Sequence, residues 1–338
     1  MNHPLRYRLE YWPALMLSGL MRRIPLSLGR WCGAALGQMA FSIVRMRRRV
    51  TLENLRGAFP ELAGRRELIR LGARCYRNLG KGLVEFCHFP RLNRDRLAGL
   101  VEIQGLDNLR QALGAGHGAI LLSGHFGAWE LLGPAFALNG FAVDLFVRSQ
   151  KNPLFDDLMN RHRSWVGADI IRSSGTPRAM LRSLRENRLL AMLADQDGGR
   201  DGIFIPFMGR PASTAPGVAR IALRTGAPIL MGFVVRQPDG RHRLVIEPPL
   251  KVPQGGDSRE NLRRILETYT RNLESHIRAH PHQWFWPHRR WKTRPPAEDV
   301  ISVPSPGRSS VKRSSAKRSS PGHSSISGSS GDHGDSPQ

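Results

Sequence analysis

Cysteine is scarce: Cys32, Cys75 and Cys87 are the three in 338 residues, and no two of them form a CxxC. That excludes a disulfide framework and a thiol-redox motif, and it leaves buried thiols in a reducing compartment as the expectation. There is no HExxH, so a zincin-type metal site is excluded. There is no GxSxG, so a nucleophile-elbow serine hydrolase is not expected. Carboxylates are few, with 27 Asp and Glu against 51 Lys and Arg, for a net charge of +24. The Ser- and Arg-rich end does not account for this. From Ile301 onward there are five Lys or Arg and two Asp, roughly +3, which leaves about +21 on the rest. Such a body implies an acidic partner: nucleic acid, anionic lipid or an acidic protein.

A long apolar run is also lacking. The N-terminal stretch "YWPALMLSGLMRRIPLSLGRWCGAALGQMAFSIVRMRRR" is interrupted by Pro13, Arg22, Arg23, Pro25 and Arg30. Its longest clean run, Trp31 to Val44, is shorter than the ~20 residues a spanning helix needs. No small-residue cleavage site follows it, so it is no ordinary signal peptide. With Arg45, Arg47, Arg48 and Arg49 just after it, the stretch reads as an interfacial membrane helix with a cationic flank. A tilted span and a plain buried helix are the alternatives.

What is present is an alternation of two patterns. Residues 50–97 read as helical, with Leu68, Leu71, Cys75, Leu79, Leu83 and Phe86 at helical spacing. Beyond them, short runs such as "AILLS", "FAVDLFV", "LLAMLAD", "PILMGFVV" and "HRLVIEPPL" alternate with helical stretches such as "TPRAMLRSLREN" and "APGVARIALRTG". Alternating strands and helices predict an α/β layer structure with a largely parallel sheet. Asp257 to Ala279 reads as an amphipathic helix with Leu262, Ile265, Leu266, Tyr269, Leu273 and Ile277 as its apolar stripe and Asp257 or Ser258 as its cap. After Pro296 the chain is Ser, Gly, Pro and Lys or Arg, with almost no aliphatic content. That composition is expected to stay disordered.

The stretch "LLSGHFGAWELLG", Leu121 to Gly133, is where chemistry is expected. Gly124, His125, Phe126 and Gly127 form a turn between a strand and a helix, and ligands of open α/β sheets bind at such carboxyl ends. From the first turn of that helix, Glu130 can reach back to accept the Nδ1 proton of His125. The other ring nitrogen would then be free as a base. The bland alternative is commoner on spacing alone: a histidine satisfied by backbone and a surface glutamate. Other motifs are weak. "GAGHGA" at Gly114–Ala119 fits GxGxxA but precedes its strand, so the dinucleotide reading fails its context. His276, His280, His282 and His288 have Arg and Trp neighbours, and no metal site is expected of them. "GIFIPFMGRPAST" reads as an apolar loop before a Thr/Pro helix start. In "HPHQWFWPHRRWKTRP", Trp284, Trp286 and Trp291 interleave with Arg289, Arg290 and Lys292, which suits an anionic headgroup interface. No RNA-binding signature accompanies it, and nucleic acid is not expected as a partner.

Five segments in order, "GHFGAWE", "VRSQKNP", "LADQDGG", "GIFIPFMGRPAST" and "HPHQWFWPHRRWKTRP", resemble the late acyltransferases of lipid A biosynthesis, the lauroyl/myristoyl transferase family. The resemblance spans about residues 10–295. It implies a glycerolphosphate-acyltransferase-like mixed sheet flanked by helices, with residues 1–49 as a membrane-associating segment, 50–295 as the acyltransferase domain and 296–338 as the disordered tail. It implies transfer of a fatty acyl chain from acyl-acyl carrier protein to a hydroxyl of a lipid A precursor or related glycolipid, with no metal or other cofactor, at the cytoplasmic face of the inner membrane. Partners would be acyl carrier protein, anionic membrane lipid and the glycolipid acceptor. By the same resemblance, His125 is the general base and Glu130 orients it. Arg148 holds phosphate or polarises the thioester, Asn152 lies in the same substrate-binding segment, and Asp195 and Gln196 either support the catalytic groups from behind or position the acceptor. Met192, Phe204, Phe207 and Met208 are candidates for an acyl tunnel. The wider glycerolipid superfamily usually carries Asp in the H-x4-D/E motif and an EGT segment. Neither is present, which argues against phosphatidic acid synthesis. Another acceptor, such as a phosphoinositol mannoside or an aminolipid, and an inactive basic membrane-binding scaffold stand as alternatives.

Overall fold

The computed structural model describes residues 4–62, 64–173, 177–252 and 258–296. The expected disordered tail and Asp257 lie outside the described residues. The chain opens with helices α1 (Leu5–Arg23), α2 (Leu26–Ser42), α3 (Arg48–Ala58), α4 (Arg65–Cys87) and α5 (Arg94–Leu100). The alternating part follows: β1 (Val101–Gln104), α6 (Leu106–Gly114), β2 (Ala119–Ser123), α7 (Leu132–Ala137), β3 (Val143–Val147), α8 (Pro153–Trp165), β4 (Asp169–Arg172), α9 (Pro177–Arg185) and β5 (Leu189–Leu193). The rest is β6 (Ile203–Phe207), β7 (Arg210–Thr214), α10 (Gly217–Thr225), β8 (Ile229–Arg236), β9 (His242–Ile246) and α11 (Arg259–Ala279).

Seven strands form one sheet in the order β1-β9-β8-β2-β5-β3-β4. All its pairs are parallel except β8 with β9. The expected α/β class with a parallel-dominated sheet is therefore observed, and the sheet is mixed. Every residue of β2 is buried, as its unbroken apolar run requires for a strand covered on both faces. The edge strands β1 and β4 were not foreseen. Each has four residues and carries polar side chains, such as Glu102, Gln104, Asp169 and Arg172, so neither shows the apolar run that marks a central strand. The segment expected to be an apolar loop is instead a hairpin of β6 and β7. Its two-residue turn, Met208–Gly209, has φ of 51° and 72°, the left-handed pair that matches strand twist. Met-Gly lacks the usual Asn-Gly signal, and Pro206 opposite Pro211 hides the strand pattern.

The α11 stripe is buried as expected, and Ser258 caps the helix by accepting from the Asn261 amide at 3.1 Å. Helix α2 lies along α4 with Gly29, Gly33 and Gly37 at four-residue intervals. A Cβ on Gly33 would run into the Gly80 carbonyl, and one on Gly37 into that of Tyr76. Backbone-to-backbone approach of this kind needs small residues. The N-terminal helices thus pack against the body and leave apolar side chains outside: Leu5, Leu9, Trp12, Met16 and Leu20 on α1, and Trp31 and Met39 on α2, are exposed. Among the described residues no helix is long and apolar enough to cross a membrane.

One buried charge cluster fixes this assembly. Glu85 of α4 accepts from Arg30 of α2 at 2.6 Å, from both terminal nitrogens of Arg236 at the end of β8, and from His242 of β9 at 3.1 Å. Burial opposes its charge, but Arg236 and His242 hold its carboxyl far below the usual carboxylate range. A buried carboxylate survives ionised only with such partners.

Candidate active site

The site lies where β2 and β5 end side by side. These strands pair in parallel, with Ser123 opposite Leu193, so the residues that follow each of them meet at one sheet edge. After β2 the chain turns sharply through Gly124–Gly127. The turn is clamped on both sides: Gly127 donates to the Gln283 carbonyl at 2.8 Å, and Phe285 donates to the His125 carbonyl at 2.9 Å. Gly127 has φ of 61°, and a Cβ there would strike the Val234 carbonyl. A Cβ on Gly124 would crowd Asp195. Both glycines of "GHFG" are therefore set by close approach of other chain segments.

Asp195, just past β5, takes the position expected for Glu130. Its Oδ1 accepts from His125 Nδ1 at 2.7 Å and its Oδ2 from the His125 backbone amide at 2.8 Å. Trp284 Nε1 donates to the same Oδ2 at 2.8 Å. Asp195 is 2 % exposed on its side chain, whereas His125 is 22 % exposed. The ring is thus reachable while its partner is sealed. With the Nδ1 proton held by Asp195, Nε2 carries the free lone pair. Gln196 Nε2 lies 3.4 Å from that atom, so Gln196 faces the side from which a proton would arrive. Burial works against an imidazolium here, but the charge and hydrogen bond of Asp195, with the charge of Glu130, outweigh it and raise His125 above the ordinary histidine value. Burial likewise opposes the Asp195 carboxylate, yet His125 and the Trp284 indole keep it below the usual range.

Glu130 sits in a short 3-10 turn, Trp129–Leu131, ahead of α7. Its carboxylate does not bond the imidazole. It forms a two-point pair with Arg163 of α8, at 2.7 and 3.0 Å, and acts on His125 through space. The expectation failed because the 3-10 turn leaves Glu130 facing α8, where a forked guanidinium offers two donors. Replacing Glu130 by glutamine strips Arg163, 15 % exposed, of its counter-charge. The expected stability loss is about 1–3 kcal/mol, read as a lowered melting temperature, with His125 shifted to a lower pKa in an NMR titration. A variant with an unmoved His125 titration would remove Glu130 from the field of the imidazole.

The other expected site residues separate. Arg148 is exposed just beyond β3, on the same sheet edge but two strands from β2. Asn152 is buried and caps α8, accepting from Leu154 and Phe155 at 3.1 and 3.4 Å. Its Nδ2 donates to the Tyr7 carbonyl and to Glu10 at 3.0 and 2.9 Å. Both ends of the amide are used, so Asn152 fastens α1 to α8 instead of facing a substrate. Phe207 and Met208 are 1 % and 2 % exposed within the main core, with Phe207 packed on Trp284 and Trp291. They are core residues, not tunnel walls. An apolar groove opens elsewhere. Cavities of ≈ 200 Å³ and ≈ 140 Å³ share Leu83, Phe86 and Met159 as lining, and the first is also lined by Trp129 and Phe285. Those two rings flank His125, with centroids 5.4 and 6.0 Å away.

One member of the site carries no local sequence signal. Arg163 lies in an ordinary helix pattern. Arg290, buried at 2 % exposure, donates to the Ser213 carbonyl and, at 2.6 Å, to Thr214 Oγ1, adding a positive charge near Asp195. Residues 281–293, which clamp the His125 turn, form a strap that Asp197 closes by accepting from Thr293 at 2.8 Å, and the Asp197 amide donates to His288 Nε2 at 3.1 Å. His288 is pushed down to about 4, chiefly by burial, and stays neutral. Among the described residues no group of three or more His, Cys, Asp or Glu side chains could hold a metal ion.

A partly exposed imidazole on a sealed carboxylate, beside an apolar groove at a parallel-sheet edge, is placed to move a proton next to a hydrocarbon chain. Comparison with known proteins gives the family. The model of the bacterial lipid A biosynthesis acyltransferases matches residues 2–293, and the chain belongs to that family. It is 26 % identical to the lipid A biosynthesis lauroyltransferase of Escherichia coli over 296 residues, covering 87 % of this chain and 94 % of the relative. It is 28 % identical to the palmitoleoyltransferase of the same organism over 304 residues, 89 % and 96 % of the two chains. A phosphatidylinositol mannoside acyltransferase of Mycobacterium tuberculosis is 27 % identical over 219 residues, 63 % of this chain and 67 % of the relative.

Proposed function

We propose that the protein transfers a fatty acyl chain from acyl-acyl carrier protein to a hydroxyl of a lipid A precursor or a related glycolipid. The observation that carries this reading is the His125–Asp195 pair at 2.7 Å, whose Nε2 side faces the Gln196 amide at 3.4 Å and is bordered by the apolar groove. His125 Nε2 takes the proton of the acceptor hydroxyl as its oxygen attacks the thioester carbonyl carbon. The carbonyl electrons move onto oxygen. They return as the C–S bond breaks, and the imidazolium gives its proton to the departing thiolate. The products are an ester and a free thiol. Asp195 stabilises the imidazolium throughout, and Glu130, held by Arg163, adds a second negative charge. The groove lined by Leu83, Phe86, Trp129 and Phe285, together with the second cavity that shares Leu83 and Phe86, would take hydrocarbon of the acceptor lipid as well as of the chain being transferred. Arg148 is the candidate for holding phosphate or the developing oxyanion at the sheet edge.

The exposed Trp12 and Trp31 with their aliphatic neighbours, next to a strongly basic body, support a position at the cytoplasmic face of the inner membrane. The likeness to a phosphatidylinositol mannoside acyltransferase favours a second acceptor class with the same chemistry. Lipid mass spectrometry of a strain lacking the protein tests both. Loss of one acyl chain from lipid A is the expected result. Loss from another glycolipid would move the acceptor, and an unchanged lipid profile, with no thioester turnover by purified protein, would overturn the reading.

A further inference from the structure

On the far side of the strap that clamps His125, a cleft of ≈ 350 Å³ opens between α4 and the end of β8. Helix α4 lines it with Arg74, Arg77, Asn78 and Lys81, β8 with Arg236, and the strap with His282. No lining residue is acidic. Among the described residues Arg74, Arg77 and Lys81 form no ion pair. The nearest carboxylate, Glu85, is divided between Arg30, Arg236 and His242. One negative charge thus faces two arginines on the inner side, and three more cations stand on the outer side.

The mutual repulsion is visible in the groups themselves. Burial, then the charge of Arg236, pulls Lys81 below the ordinary lysine value. Burial, with Arg74 next among the causes, pushes His282 down to about 4. Asn78 is 4 % exposed; its Oδ1 accepts from Arg236 Nε at 2.8 Å, and its Nδ2 is buried without a partner. Cations concentrated around a concave space, with no carboxylate among them, are in their lowest energy only with an anion present.

We propose that this cleft binds a phosphate group carried on the headgroup of a lipid, the acceptor of the acyl transfer described above. This rests on that reading of the His125 site. The placement along α4 favours a lipid over a protein-borne phosphate. Immediately after Lys81, Gly82 and Leu83 line the apolar groove that runs to Trp129 and Phe285, and Leu83 is 52 % exposed. Helix α4 therefore carries both surfaces, cations on one face and apolar side chains about half a turn round on the other, so an amphiphile with its phosphate in the cleft would straddle α4 with its hydrocarbon toward the groove. Gln283, which lines the cleft, also receives the Gly127 amide on its carbonyl at 2.8 Å, so a headgroup in the cleft would lie across one strap from the catalytic turn.

The test compares full-length protein with the Arg77→Ala/Lys81→Ala double variant, whose altered side chains lie outside the core. Michaelis constants are measured for a phosphorylated glycolipid acceptor, for its phosphatase-treated counterpart and for the acyl-carrier donor. The wild-type protein is expected to prefer the phosphorylated acceptor by about tenfold or more in KM, and the variant to lose most of that ratio. A ratio unchanged in the variant overturns the proposal. So does a raised donor KM with the ratio intact, which would assign the cleft to the donor. Line broadening of glucosamine 1-phosphate in phosphorus NMR supplies a readout without turnover. Broadening by the wild-type protein that the variant lacks supports the site, and equal broadening by both sinks it. Wild-type protein that broadens this signal yet transfers no acyl chain would fail the acyl-transfer reading and leave the phosphate site standing.

Discussion

His125→Ala is expected to slow acyl transfer by about two to four orders of magnitude while the protein stays folded. The reason lies in how the turn is held. The structural bonds of residue 125 come from its backbone: its amide donates to Asp195 Oδ2 at 2.8 Å and its carbonyl accepts from Phe285 at 2.9 Å. Alanine keeps both. Asp195 also keeps the Trp284 indole, so its charge is not abandoned in the interior. What is lost is Nε2, the atom that takes the proton in the proposed transfer. Single-turnover assays with purified protein and a thermal melt check the two halves. Turnover near the wild-type rate would remove His125 from the mechanism.

Asp195→Asn should be of similar severity, on the order of 10³–10⁴-fold, because an amide in place of the carboxylate spoils the tautomer as well as the charge. An asparagine nitrogen facing Nδ1 would donate to it and place the ring proton on Nε2, where the base must be empty. The pH dependence gives a second signature. In the wild-type protein His125 is raised above the ordinary value of about 6.5. A base works only when neutral, so activity should fall as pH drops through that raised pKa, with its midpoint above about 6.5. In Asp195→Asn, burial still disfavours the imidazolium and only Glu130 opposes it. The midpoint of the residual activity should therefore move to lower pH. A pH–rate profile measured where chemistry limits the rate checks this, supported by NMR titration of the ring. A midpoint that does not move would contradict the pairing seen at 2.7 Å.

Much of the architecture was legible in order along the chain. The central strands β2, β3, β5, β8 and β9 appear as short apolar runs, and α11 as an apolar stripe, because burial on two faces or on one stripe leaves a periodic trace. The edge strands and the Met208–Gly209 hairpin left little or none. Edges bury little surface, and the hairpin turn depends on backbone angles that an unusual residue pair hides. At the site, His125, Asp195 and Gln196 were singled out from motif segments and do meet. Asn152 was singled out with them and serves instead as a helix cap, a role that a residue just before a proline-led helix often takes.

The partner of His125 is the clearest case of what the chain order conceals. Sequence by itself determined the glycine-flanked turn and the class of sheet that carries it, since these follow from local periodicity and from residues a few positions apart, and it singled out His125 as the candidate base through the resemblance of five ordered segments. Only the tertiary structure decided that the proton on Nδ1 goes to Asp195, 70 residues away, while Glu130, five positions away, turns to Arg163. The physical reason is the crossover connection. Strand β5 inserts beside β2, between it and β3, so the carboxyl ends of two strands distant in sequence become neighbours. No local spacing encodes that adjacency.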